Sequence, residues 1–306
     1  MKGLDLAEGY YREYGQKMLQ EQFPFIMDKI AVGLFGSGSE CYGYDDEISR
    51  DHDWEPGFII LVPDDTDEKT LFQLERAYNK LPREYQGYKR QLLSPVGGNR
   101  HGVFRIGEYF EDKIGSPDGN LTVHQWLTLP QYCFCEATNG RVFLDCGLLE
   151  TVRERLLGMP SDILKKRLAG NLLMMAQSGQ YNYERCLRHG EKGAAQLAAD
   201  EFVRSSLEVI FLLNRCYMPF YKWSFRALRD LPILPYAGEL LEQVLTDESP
   251  EIRIALIDNI ARLVSEEVVR QGLAEGRNGD LERLAYQVND RISDAEIRNL
   301  SILATR

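Results

Sequence analysis

No run of Lys and Arg in this chain is long enough to supply a basic groove. Its 306 residues hold 36 bases against 47 acids, a formal net charge of −11. A surface so acidic repels phosphate backbones unless a basic groove is concentrated somewhere. No stretch supplies one, so nucleic acid is excluded as an expected partner. Long apolar runs are missing too. Val209–Leu213 is among the longest, far short of the ~20 residues a membrane helix needs, so no membrane partner is expected. The opening MKGLDLAEGYYREYG carries acids where a secretory signal would carry its apolar core, and the expected location is the cytoplasm. Cysteine and histidine are sparse, at 6 and 4. No Cys-x-x-Cys spacing occurs and no two His lie near each other, which argues against zinc and for reduced, mostly buried thiols.

What is present is ordinary globular material, 44% hydrophobic and 27% charged. The length favours two domains, and the texture changes near residue 149. Residues 1–149 alternate short β-type runs with helical segments, and residues 150–306 read as almost continuous helix. Leu4, Leu6, Tyr10, Tyr14, Met18 and Leu19 predict an amphipathic helix over 4–22. Strands are predicted at Ile30–Phe35, Phe58–Val62, Gly102–Ile106 and Arg141–Leu144, with a helix over 67–81. The fold class is therefore an α/β domain with a mixed sheet, followed by an all-α helical bundle. No repeat of 20–50 residues is visible.

The densest chemistry is GLFGSGSECYGYDDEISRDHDW, residues 33–54. Glycines at 36 and 38 let backbone amides approach phosphate oxygens closely, and Ser37 or Ser39 offers a hydroxyl donor. Asp51 and Asp53, one residue apart in an extended segment, point the same way, and His52 points to the opposite side. Such a pair suits Mg²⁺, a hard cation that bridges a triphosphate and offsets its charge. Glu40, Asp45, Asp46, Glu47, Asp51 and Asp53 face a single base, Arg50, within this segment. Self-repulsion of that kind is better explained by a bound cation than by a plain surface loop.

An apolar strand, Gly-Ser, a gap, Asp-x-Asp and a second strand resemble the nucleotidyltransferase superfamily of polymerase-beta type. Together with AQSGQYNYERCLRHG and FLLNRCYMPFYKW further on, the segment resembles the DUF4037 branch. Its architecture is similar to that of the aminoglycoside and lincosamide nucleotidyltransferases. The resemblance implies transfer of a nucleoside monophosphate from an NTP, ATP being the expected donor, to a hydroxyl of a small acceptor. Gly36 and Ser37 would hold the phosphates, and Asp51 and Asp53 would ligate Mg²⁺. The gap from Ser37 to Asp51 is longer than usual in the superfamily, and Pro56-Gly57 separates the pair from the following strand. A third carboxylate normally completes such a site, as metal ligand or general base. Glu108 is the first candidate and Asp145 the second.

The helical half contributes two clusters. Gln177–Tyr183 crowds amides, a hydroxyl and tyrosines around Gly179, which is expected to break the helix. Gln180 and Asn182 are its nucleotide-binding candidates. In Tyr217–Trp223, Pro219 forces a helix start or a kink. Lys222 is flanked by Tyr221 and Trp223, and the resemblance implies that Lys222 reaches the triphosphate while an aromatic packs on the base or acceptor. Arg185 and Arg226 compete for the cationic role. His124 and Trp126 read as core more than as pocket lining. A different class is kept open: a nucleotide-binding sensor with little turnover, if no third acid lies in reach of the pair. The sequence also leaves open whether the site forms within one chain or across a homodimer.

Overall fold

The structure is a computed structural model that describes residues 1–50, 54–90, 100–276 and 279–305. These divide into two compact units, Met1–Leu121 with Cys133–Gly158, and Thr122–Tyr132 with Met159–Arg306.

The first unit is built on a four-stranded sheet. Its strands are β1 (Ala31–Leu34), β2 (Ile59–Val62), β5 (Gly102–Arg105) and β6 (Arg141–Asp145), in the order β5-β2-β1-β6. A two-stranded hairpin, β3 (Glu84–Tyr85) with β4 (Tyr88–Lys89), stands apart from it. Every residue of β1 and β2 is buried, as their unbroken apolar runs require. β1 runs antiparallel to both β2 and β6, and β2 runs parallel to β5. Parallel neighbours need a crossover. Here it includes the helix Glu68–Asn79, whose start is capped by the Asp67 carboxylate accepting from Thr70 N at 3.0 Å.

The register decides where the site lies. Gly33 pairs with Ile59 and Ile59 with Gly102, while Leu34 pairs with Arg141. The turn after β1 therefore emerges at the same edge of the sheet as the entries to β2, β5 and β6. The N-terminal rod, a helix over Gly3–Tyr10 and Gln16–Gln22 with a π-helical stretch at Tyr11–Gly15, packs on the unit's core. Tyr10 and Leu19 are fully buried there, and the Tyr10 hydroxyl donates to Pro82 O at 2.8 Å. Each such side chain taken from water contributes about 1.5–3 kcal/mol.

All four expected strands of the sheet form, with one change of consequence. The third stops at Arg105, because Ile106 opens a helix, Ile106–Ile114. Ile106, Phe110 and Ile114 recur every fourth residue and are buried, and Gly115, at φ +63°, closes the last turn.

The second unit is helical throughout its described residues. Its core gathers Leu172, Phe202, Ile210, Leu241, Ile260 and Leu284 from the long helices. Gly179 does not break the chain, contrary to expectation. The helix Ser161–Met175 continues through a π-helix, Ala176–Tyr183, into Glu184–Arg188. Gly179 is buried against the Phe202 ring, and a Cβ there would collide with it. The glycine serves packing, and the polar residues around it ride on the widened helix. Lys166, fully buried, donates to Asn289 Oδ1 at 2.8 Å and to Leu300 O at 2.7 Å, tying the C-terminal segment down. Burial pushes its ammonium below the usual lysine value. Among the described residues no helix is long and apolar enough to cross a membrane.

Candidate nucleotide site

The turn leaving β1 is held from several directions. Gly36 and Gly38 have φ of +109° and +120°, a region that side chains rarely tolerate. The Asn139 amide, on the approach to β6, clamps Gly36 twice. Its Nδ2 donates to Gly36 O at 2.8 Å, and its Oδ1 accepts from Gly36 N at 2.8 Å. The Gly36 amide is thus already engaged, and Gly36 shapes the turn. Arg100, just ahead of β5, donates through Nη2 to Ser37 O and to the Glu40 carboxylate. Ser39 is buried, with its hydroxyl toward Glu40 Oε2 at 3.5 Å. Burial raises the Cys41 thiol well above its usual range, so it stays protonated.

The helix Ile106–Ile114 lies against β2 and β5 and brings a second set of groups to the turn. Tyr109 meets Phe35 edge-on at 5.5 Å. Its buried hydroxyl lies close enough that a Cβ at Gly36 would sit 3.1 Å from it. Burial raises that phenol as well, so it is neutral in the working range. Glu108 and Asp112 are one helical turn apart, as are Tyr109 and Lys113, and all four line one cavity with Gly36 and Ser37. Arg100 and the apolar Phe35, Ile59 and Phe104 complete its lining. The volume, about 320 Å³, lies at the lower end of small-ligand sites.

Gly36, Ser37 and Glu108 thus meet in one cavity, although the helix that carries Glu108 was not anticipated. Asp145, the other acid considered, caps a helix. Its carboxylate accepts from the backbone of Gly147, Leu149 and Glu150 at 3.1, 3.2 and 2.8 Å. Asp51, His52 and Asp53 lie outside the described residues. Among the described residues no group of three or more His, Cys, Asp or Glu side chains is placed to hold a metal ion.

The remaining candidates belong to the second unit. Gln180 donates to Gly279 O at 2.9 Å and lines a separate cavity of about 370 Å³. Among the described residues the charged lining there is acidic, Asp280 and Glu282. Asn182 is exposed, and Tyr221 is 72% exposed. Lys222 Nζ stands over the Trp223 ring at 5.2 Å from its centroid, and Arg185 lies over Tyr181 one turn away at 5.5 Å. Arg226 is exposed on the helix Tyr221–Arg229. His124 and Trp126 fall on a short helix, Val123–Thr128, with Trp126 buried and its carbonyl accepting from Arg167 Nε at 2.8 Å.

Arg100, Tyr109, Lys113 and Asn139 escaped the reading of the sequence. Periodicity over 106–114 marks the helix and so points to Tyr109 and Lys113. Nothing local marks Arg100 or Asn139.

Residues 126–224 match the family model described as a domain of unknown function, DUF4037. Two of the three motifs that suggested this family, those at 176–190 and 211–223, fall inside that match, and the Gly-Ser segment precedes it. A solved structure of a nucleotidyltransferase-like protein from Exiguobacterium sibiricum 255-15 is 12% identical, with a TM-score of 0.38 over 87% of this chain and 77% of that one. No curated protein matches the chain.

Proposed function

We propose that the chain is a Mg²⁺-dependent nucleotidyltransferase that moves a nucleoside monophosphate from an NTP to a hydroxyl of a small acceptor. The observation that carries this reading is the shared cavity. A Gly-Ser turn suited to phosphate oxygens and a carboxylate suited to proton transfer, far apart in sequence, line one volume in the first unit. The mixed sheet and the DUF4037 match agree with it.

In this reading Ser37 donates its hydroxyl hydrogen to a phosphate oxygen, and the turn after β1 holds the phosphate chain. Glu108 accepts the proton of the acceptor hydroxyl. That oxygen attacks the α-phosphorus, the bond from the α-phosphorus to the bridging oxygen breaks, and pyrophosphate leaves with the electron pair. Asp51 and Asp53 are assigned to Mg²⁺ on their sequence pattern, and Asp112 adds a hard oxygen donor to the cavity. When bound, Mg²⁺ offsets charge on the triphosphate. Tyr109, Phe35 and Phe104 give the cavity apolar walls. The net charge of −11 favours a small acceptor over a nucleic-acid template.

The test is calorimetric titration of ATP, GTP, CTP and UTP with and without Mg²⁺, followed by an acceptor screen for pyrophosphate release. Asp51→Asn/Asp53→Asn is expected to abolish the Mg²⁺-dependent part of binding. Glu108→Gln is expected to keep nucleotide affinity and lower turnover by about 10²–10⁴, the usual worth of a positioned base. Failure of every NTP to bind would sink the reading. Binding without turnover on any acceptor would leave a nucleotide sensor.

A further inference from the structure

We infer that Arg100 grips the phosphate chain of the nucleotide, and that Glu40 is the internal anion it exchanges for that chain. The inference rests on the nucleotidyltransferase reading of this cavity and adds to it a competing partner built into the turn.

Among the described residues two cations line the cavity, and they are placed differently. Lys113 belongs to the far end of the helix Ile106–Ile114, 6.0 Å from the centroid of the Tyr109 ring. Arg100 is tied to the turn itself, bonding both Ser37 O and Glu40. Gly38 belongs to the same arrangement, since a Cβ there would collide with the Arg100 guanidinium. The backbone is therefore shaped to let an arginine lie across the turn whose serine faces the cavity.

The pair is largely buried, with Arg100 and Glu40 side chains 16% and 6% exposed. Salt screens such a pair little, and a guanidinium buried there needs an anion beside it. The guanidinium fork fits carboxylate and phosphate oxygens alike. A triphosphate offers the same acceptor geometry with more charge and more oxygens, so it can take over a fork that Glu40 holds. The acids around the cavity make that exchange useful. Among the described residues Glu40, Glu108 and Asp112 outnumber Arg100 and Lys113, and an entering phosphate chain meets repulsion unless a cation turns toward it.

The experiment measures binding of ATP, AMP and inorganic tripolyphosphate at constant Mg²⁺ to wild type, Arg100→Gln, Arg100→Lys and Glu40→Gln, with a thermal melt of each. Arg100→Gln should weaken ATP and tripolyphosphate on the order of tenfold or more, the worth of a lost charge-assisted hydrogen bond. It should also bring the ATP and AMP affinities together. Arg100→Lys should fall between, keeping the charge without the fork. Glu40→Gln keeps Arg100 and removes its rival, and should tighten tripolyphosphate several-fold. Unaltered tripolyphosphate binding in Arg100→Lys and Arg100→Gln would overturn the grip. Unaltered or weaker binding in a folded Glu40→Gln would overturn the exchange. Wild type that binds neither NTP nor tripolyphosphate would overturn the underlying reading as well, and that result appears before any variant is made.

Discussion

Gly36–Ser39 and Ala176–Tyr183 are both short, polar and glycine-bearing, and each interrupts an apolar pattern. At the first, the backbone takes positive φ, an asparagine amide clamps Gly36, and an arginine lies across Gly38. At the second, Gly179 continues a helix and gives up its side chain so that Phe202 can fill the space. One glycine-bearing segment builds a cavity wall and the other closes a core. Glycine permits unusual dihedrals and close approach alike, and which of the two is used depends on what the rest of the chain brings alongside.

The sharpest way to break this comparison is a pair of alanines. Gly38→Ala should be strained at φ +120° and should displace Arg100, costing about 1–3 kcal/mol and removing nucleotide binding. Gly179→Ala overpacks against Phe202 and should lose a similar amount, about 1–3 kcal/mol, while nucleotide affinity stays at the wild-type level. Urea unfolding and ATP titration of both variants decide it, and equal loss of affinity in the two would remove the distinction.

A smaller effect is expected at the clamp. Asn139→Ala leaves the Gly36 carbonyl and amide without their partner, a loss of about 1–3 kcal/mol. Weaker ATP binding should accompany it, because the turn is no longer held in shape. A variant destabilised to that extent but binding normally would show that the clamp serves the fold alone.

The smallest effect concerns pH, and it sets the neutral clamp at Asn139 against a charged fastening in the helical unit. Burial opposes ionisation of Asp162, but the amides of Asp294 and Ser293 and the Lys165 ammonium outweigh it and hold the carboxyl below its ordinary 3.8. A lowered carboxyl contributes its stabilisation above the ordinary value and loses it as pH falls through the folded one. Hydrogen-exchange protection at Ser293 and Asp294, taken relative to the intrinsic rate at each pH, should therefore hold at neutral pH and fall only below 3.8, with Asp162→Asn lowering it already at neutral pH. Asn139 carries no charge, so its bonds to Gly36 should show no such dependence.

Much of the first unit was legible. The runs at 30–35 and 58–62 are apolar throughout, and that alone marks strands buried on both faces. Glu108 could be named as an acid following a strand, but its helix was missed because GVFRI reads as β up to Ile106. The register of Ile106, Phe110 and Ile114 overrides that local preference. In the helical unit, composition misled at Gly179, since a propensity argument cannot see Phe202 arriving from another helix.

Local pattern alone determined that this chain has an α/β part and a helical part, that a Gly-Ser turn follows the first strand, and that acids cluster after it. Period and turn chemistry act between neighbours in sequence, so they can be read without coordinates. Only the tertiary structure decided that Arg100, Asn139 and Glu108 belong with that turn. Antiparallel pairing of β1 with β2 and β6, and parallel pairing of β2 with β5, bring their ends to one edge. Strand register is set by long-range burial, which no single segment carries within itself.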